Sequence, residues 1–237
     1  QYIYFPVPAA GAVQSTVRDM ARYASVLLRR GEGIVDGPTF ETMITPQWEP
    51  DPRLRSVGLS FMRGTHFGEH SFGHGGSVSG GWNSEMTIFP ERNLAVLIHF
   101  NLDDASTGPA RSLLIQAVVD GSTPPPSNDP INEAVAAQAT GTYDAEPGEL
   151  TNTRIRWTTG RLTITAKDGS LHLSSRRGPW SDGVPLCAAD PADPSLLRIM
   201  NEAVEPVYLV LTHDDAGAID GLLLDRCIRM VRTTDPT

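Results

Sequence analysis

The sequence predicts an α+β protein: an antiparallel sheet with flanking helices, followed by a small all-β domain. Three observations carry this. Apolar residues recur at steps of three and four early in the chain, then the period changes to that of strands from Val57 onward. The strands follow one another through short turns, as in an antiparallel meander. A proline-rich spacer, "DGSTPPPSNDP" at 120–130, then separates this part from a stretch after Gly141 made of short strand-like runs.

Residues 16–30, "TVRDMARYASVLLRR", read as a helix capped by Thr16, with Asp19 near the positive end of the dipole and Gly31 as the stop. Val17, Met20, Ala24 and Leu27 form the expected inner face, widened by Tyr23 and Leu28. A shorter helix opens at Pro38, "PTFETMI", and ends before Pro46. Residues 46–55 are proline-rich and irregular. "VGLSFMR" (57–63) reads as a strand, with a break from Gly64 to Gly68, then "HSFGHGG", then "WNSEMTIF" (82–89). "PERN" (90–93) is a turn, and "LAVLIHF" (94–100) is apolar enough for a strand buried on both faces. Residues 109–119 predict a helix with Leu113, Leu114, Ala117 and Val118 facing inward. A short helix over 131–139 follows the spacer. Beyond Gly141 come "TRIRWTT", "RLTITAKDGSLHLSS", "SLLRIM", "PVYLVLTHDDAGAIDGLLLD" and "IRMVRT", with turns at Asp168-Gly169 and Ala216-Gly217. These runs predict a small antiparallel barrel or sandwich of roughly eight strands. The expected organisation is a domain over 1–120, a linker and short helix over 121–140, and a β domain over 141–237.

A net charge of -9 and a pI near 5.1 argue against a nucleic-acid partner or an anionic membrane surface. No apolar run reaches the length of a membrane-spanning helix. Lys167 is the only lysine, so arginine carries the remaining fixed positive charge. Cys187 and Cys227 lack a Cys-x-x-Cys spacing and are expected as buried thiols, although a disulfide stays open, and with it the compartment. The chain opens on Gln1 without a charged-then-apolar leader, which reads as the middle or end of a longer product.

The stretch "FGHGGSVSGGWN", Phe72 to Asn83, concentrates the chemistry. Two glycines after His74 clear one strip of a strand, so that a ligand or another backbone can come close. Backbone N–H groups on such an edge can hold a carbonyl oxygen, and an imidazole can donate a hydrogen bond or move a proton. A glycine-rich hairpin with an incidental histidine is the plainer reading of the same residues. His66, His70 and His74 are spaced like one face of a metal-binding helix, but the surrounding glycines disfavour a helix, and neither a metal nor any other cofactor is expected. No Gly-x-Ser-x-Gly elbow is present. Asp103 and Asp104 read as a solvated turn or helix cap, His172 and His213 as surface residues, and Trp48, Trp157 and Trp180 as packing.

The text "PAAGAVQSTVRDMARYASVLL", "SVGLSFM" and "FGHGGSVSGGWNSEMTIFPERNLAVLIHFN" resembles the serine β-lactamase and penicillin-binding-protein-like hydrolases. The likeness is strongest to their class C-like esterase, D-aminopeptidase and carboxypeptidase branch. It covers about residues 8 to 120 and rests on order and spacing. It implies a central antiparallel sheet with helices on both faces, of which this chain holds the last part. That family uses Ser-x-x-Lys, Tyr-x-Asn or Tyr-x-Ser, and a Lys-Thr-Gly or His-x-Gly strand. His74-Gly75-Gly76 matches the third. By that resemblance Ser77 gives a backbone N–H to the oxyanion hole, Gly75 and Gly76 border the substrate, and His74 stands where β-lactamases have lysine. Ser-x-x-Lys is absent: three residues before Lys167 stands Ile164. "YAS" at 23–25 matches Tyr-x-Ser in letters only, and Tyr23 is expected in the core.

The implied activity is that of a serine hydrolase acting through an acyl-enzyme on a small-molecule or peptide acyl substrate. Its nucleophile lies in a missing N-terminal part of the same domain, so this chain alone is expected to be inactive. The second domain resembles the lipocalin-like barrel appended to some members, through Gly141 to Tyr143, "DDAGAIDGLLL" and the last basic strand. The rival expectation is a non-catalytic binding or assembly module that retains a hydrolase remnant.

Overall fold

The computed structural model describes residues 11–78, 81–102, 107–119, 129–146, 160–167, 169–178, 180–200, 206–225 and 228–233. The chain divides into two compact units, one of residues 1–48 and 56–122, the other of residues 49–55 and 123–237. Among the described residues no helix is long and apolar enough to cross a membrane.

In the first unit, helix α1 spans Val17–Leu28 and helix α2 spans Gly37–Ile44. The Thr16 hydroxyl accepts from the Asp19 N–H at 3.1 Å and caps α1. Gly31 ends it with φ +79°, and a side chain there would stand 2.5 Å from Val35 Cγ2. Asp36 caps α2 by accepting from Thr39 N–H at 2.7 Å. The inner face of α1 is narrower than its composition suggests. Ala24 and Leu27 are buried with Met20 and Leu28 beside them, while Val17 is exposed and Tyr23 is 37% exposed. Tyr23 is therefore not the core residue expected. It lies about 100° from Ala24 around the helix, on the edge of the buried stripe.

The sheet consists of β1 (Ser56–Val57), β2 (Met62–His66), β3 (Glu69–Val78), β4 (Trp82–Phe89) and β5 (Leu94–Phe100), antiparallel neighbours in chain order. The strand expected over 57–63 is split. Ser60 takes φ +64°, and a Cβ on Gly58 would meet the Met43 carbonyl at 2.4 Å, so the chain bends between β1 and β2. Nor does the sheet break at Gly64. β2 runs through it to His66, and only Phe67-Gly68, both at positive φ, make the two-residue turn into β3. The "PERN" turn is one short 3₁₀ helix ending on Asn93 in the left-handed region.

Each face of the sheet has its own core. Phe61, Phe72, Met86 and Ile88 meet Ala24, Leu27 and Phe40 on one side, with Phe72 edge-on to Phe40 and Phe61. Phe89, Val96 and Ile98 meet Ile115 and Val119 of helix α3 (Thr107–Val119) on the other. β5 accordingly contributes to both, Ala95 and Leu97 to the first and Val96 and Ile98 to the second. The face of α3 that packs is not the one its leucines predict. Thr107, Arg111, Ile115 and Val119, spaced by four, turn toward the sheet, whereas Leu113, Leu114 and Val118 are 53%, 48% and 49% exposed. Half of the inward stripe is polar because it meets the polar end of β4.

In the second unit eight strands close into an antiparallel barrel: β6 (Gly141–Ala145), β7 (Leu162–Lys167), β8 (Ser170–Ser175), β9 (Val184–Asp190), β10 (Asp193–Ile199), β11 (Val207–His213), β12 (Ile219–Leu224) and β13 (Ile228–Thr233). Neighbours are consecutive, and β13 pairs back onto β6 to close the ring. The predicted strand at 153–159 and Cys227 lie outside the described residues. Fully buried aliphatic side chains such as Leu162, Ile164, Leu197, Leu209 and Leu222 fill the interior. It is a packed core, as expected when a barrel has only this many strands. Helix α4 (Glu133–Ala139) packs Val135, Ala136 and Ala139 against that core. Tyr143 donates its hydroxyl to the Ala139 carbonyl at 2.6 Å, and burial raises the phenol's pKa. Arg232 lies over the Tyr143 ring and donates to the carbonyls of Gln138 and Thr140, tying the helix end to β13. Cys187 is buried, and burial raises its pKa. Trp180 packs against the core as expected, whereas Trp48 in the first unit is about half exposed.

Residues 49–55, expected only as irregular, are held tightly in the second unit. Leu54 is buried with Val210 and Leu223. Arg53 forks onto Asp51, with bonds of 2.9 and 2.6 Å, and reaches Asp193 and Ser195. Arg55 grips Asp225 through two nitrogens. The hydrogen bond from Arg53 lowers the Asp51 pKa against a smaller penalty from burial. For Asp193 burial is the largest single influence and raises its pKa, but the bonds from Arg53 and Ser195 together outweigh it, and the net direction is down.

Both carboxylates are thus below their unfolded values, so their contribution to stability is fully present above about pH 4 and is lost as pH falls through the lowered folded values. Replacing Arg53 with Met should cost about 1–2 kcal/mol at pH 7. In urea melts of the two proteins the difference should shrink steadily below pH 4. A difference that stays constant down to pH 2 would contradict this assignment.

Candidate functional site

His74, Gly75, Gly76 and Ser77 lie on the outer half of β3, and all four are exposed. The β2–β3 ladder ends at Met62 opposite Gly73. The β3–β4 ladder continues from Phe72 opposite Ile88 to Val78 opposite Trp82. Beyond Gly73, therefore, β4 is the strand that flanks β3 among the described residues, and its other side borders no described strand.

Strand alternation sorts the four residues. His74 and Gly76 share the face of the buried Phe72, while Gly75 and Ser77 turn to the opposite face. The Ser77 side chain is thus on the wrong side of the sheet to act with His74. Its backbone N–H, which lies near the sheet plane, is the part that can.

The glycines have separate reasons. A Cβ on Gly73 would stand 1.9 Å from the Met86 carbonyl oxygen, so the approach of β4 itself demands glycine there. A Cβ on Gly75 would meet Glu85 Oε2 at 2.8 Å, and one on Gly76 only Ser84 Oγ at 3.1 Å. Gly76 therefore leaves a bare strip on the His74 face.

Three residues that sequence reasoning did not single out share that face. The register puts Ser84 opposite Gly76 and His99 opposite Ser84, and Trp82 follows two residues outward on β4. Ser84 Oγ lies 3.5 Å from the Gly76 carbonyl, His99 is exposed, and Trp82 is 57% exposed. Counting pairs outward from the two turns would have found them. On the other face Asn83 donates to Thr107 Oγ1 at 3.2 Å, and Arg111 pairs with Glu85 at 3.1 Å.

The remaining candidates separate. His66 faces the second core, edge-on to Phe89 at 6.2 Å, while His70 shares the other face with His74. Among the described residues no group of three His, Cys, Asp or Glu is placed to hold a metal. Tyr23 and Ser25 sit about 200° apart around α1, and Ser25 is bonded back to the Ala21 carbonyl, so they do not form one working pair. Lys167 is on β7 in the second unit. Asp103 and Asp104 lie outside the described residues. What the site offers is an exposed imidazole, a bare glycine strip and a strand edge, a surface suited to receiving an acyl carbonyl.

The Beta-lactamase family model matches residues 1–120. No curated protein matches the chain. Among solved structures, the octameric penicillin-binding protein homologue from Pyrococcus abyssi is similar at 16% sequence identity and a TM-score of 0.42, over 92% of this chain and 47% of that one. The chain thus spans about half the length of that relative.

The glycine geometry predicts an ordering. Gly73→Ala must push β4 backbone and should cost about 1–3 kcal/mol. Gly76→Ala displaces only a serine hydroxyl and should stay within about 0.5 kcal/mol. Chemical denaturation of both variants checks this, and equal costs would contradict it.

Proposed function

This chain belongs to the Beta-lactamase family through residues 1–120, and on that premise we propose that it supplies the His-Gly-Gly strand and the oxyanion side of the cleft in a serine hydrolase. The observation that carries the reading is the outer half of β3, where His74, Gly75, Gly76 and Ser77 are exposed beyond the end of the β2 ladder. The nucleophile belongs to a Ser-x-x-Lys segment N-terminal to this chain. Its hydroxyl oxygen attacks the acyl carbonyl, whose oxygen becomes the oxyanion and is received by the Ser77 N–H. The leaving group departs with a proton, and water then releases the acyl group from the serine. His74 polarises the nucleophile's network or binds a substrate carboxylate, and the glycines let the substrate lie against the strand. Esters, amides, D-amino-acid peptides and β-lactams are the substrate classes expected.

Two further observations support a partner segment from the same domain. β5 ends the sheet among the described strands although both its faces are apolar. The leucines of α3 face outward and are about half exposed, Leu113 at 53% and Leu114 at 48%. Both are surfaces that the rest of a catalytic domain would cover.

The 237-residue chain should neither release a stoichiometric burst of nitrophenol from nitrophenyl acetate nor take a fluorophosphonate label. The longer gene product should do both, at the serine of an in-frame Ser-x-x-Lys, and His74→Ala should lower its kcat about hundredfold. A label on any serine within residues 1–237, or an upstream reading frame without Ser-x-x-Lys, sinks the proposal.

A further inference from the structure

Behind the His74 strand, on the face away from the imidazole, α3 holds β4 at two points. Thr107 accepts from Asn83, and Arg111 pairs with Glu85. The helix residues are four apart and the strand residues two apart, so each pair projects from a single face of its own element. Asn83 stands directly opposite Ser77, and Glu85 directly opposite Gly75. One atom, Glu85 Oε2, does two things. It lies 3.1 Å from Arg111 Nη1 and 2.8 Å from where a Cβ of Gly75 would be. The carboxylate thus fills the place of the side chain that Gly75 lacks and presses against the backbone between His74 and Gly76. Thr107 is buried, and both members of the ion pair are shielded from full solvent exposure, so the arrangement is more constrained than a surface pair.

We propose that Glu85 and Arg111 are positioning residues for acyl transfer: together they fix the height of the Gly75–Ser77 backbone, and so the place of the Ser77 N–H that receives the oxyanion. This rests on the hydrolase reading above. Neither side chain touches substrate. They act through the β3 backbone, with the Asn83–Thr107 bond as the second fixed point. The geometry also accounts for the polar half of the inward stripe of α3, since a wholly apolar stripe would leave Glu85 without a partner.

The test uses the longer, active gene product. Glu85→Gln keeps the shape and removes the charge, and Arg111→Met removes the partner. Each should lower kcat on nitrophenyl acetate about tenfold, because oxyanion donors act only within a narrow geometry. KM should stay within about twofold. Arg111→Lys should restore part of the loss. In amide NMR spectra of the 237-residue chain, the Gly75, Gly76 and Ser77 signals should shift in Glu85→Gln, while those of Val96 and Ile98 stay in place. An unchanged kcat overturns the proposal, as does a loss of kcat matched by lost folded protein with β5 signals moving as well. If the unsubstituted longer protein turns over no ester at all, the hydrolase reading has failed and this inference with it. If it is active and the variants are indifferent, only this inference has failed.

Discussion

The pairing of β3 with β4 governs the first unit. At Gly73 the two strands approach so closely that the Met86 carbonyl occupies the position of a side chain. That contact admits only glycine and fixes the register with His74 opposite Met86 and Ser77 opposite Asn83. A slip of one residue would send Phe72 and Ile88 out of their core and His74 to the other face. The register decides which groups share the candidate site. His74, Gly76, Ser84, His99 and Trp82 are on one face because of it, and Gly75, Ser77, Asn83 and Glu85 are on the other.

The two faces divide the labour. On the His74 face the inner half of the sheet is buried under α1 and α2, and the outer half is bare, so the apolar core grades into an exposed polar strip along the same strands. The opposite face grades the same way, from Phe89 and Val96 to Glu85 and Asn83, but there α3 follows it with a matching stripe. The helix therefore packs its apolar residues where the sheet is apolar and its polar ones where the sheet is polar. In the second unit the barrel interior is filled with aliphatic side chains, which makes it a stable body and not a container. Its outer surface is used instead, by the Leu54, Arg53 and Arg55 contacts that hold residues 49–55.

Much of this was legible in the sequence. The cap at Thr16, the proline that opens α2, the β4 and β5 strands and the "PERN" turn follow from local chemistry. So does the all-β character of the second half, which closes as a barrel of eight strands. What escaped was set by distant partners. The inward face of α3 is not legible from its apolar residues, because Thr107 and Arg111 face inward to meet Asn83 and Glu85. The helix pattern alone puts Tyr23 in the core, and the packing against the sheet leaves it at the margin. Residues 49–55 carry no regular pattern, and their order comes from Asp193 and Asp225, well over a hundred residues away. For the site, the sequence located His74 and the glycines but not their neighbours, since Ser84, His99 and Trp82 join them only through the register of two hairpins.

The proposed hydrolase function requires that the β3 edge at Ser77 receive the oxyanion of the acyl-enzyme reaction. A crystal structure of the longer gene product with a phosphonate bound covalently to its nucleophile tests it most directly, because the phosphonyl oxygen mimics the oxyanion. This oxygen should lie about 3 Å from the Ser77 amide nitrogen, with His74 on the same side of the sheet as the adduct. An adduct whose oxygen is held elsewhere, with β3 more than about 6 Å away and outside hydrogen-bond reach, would contradict it.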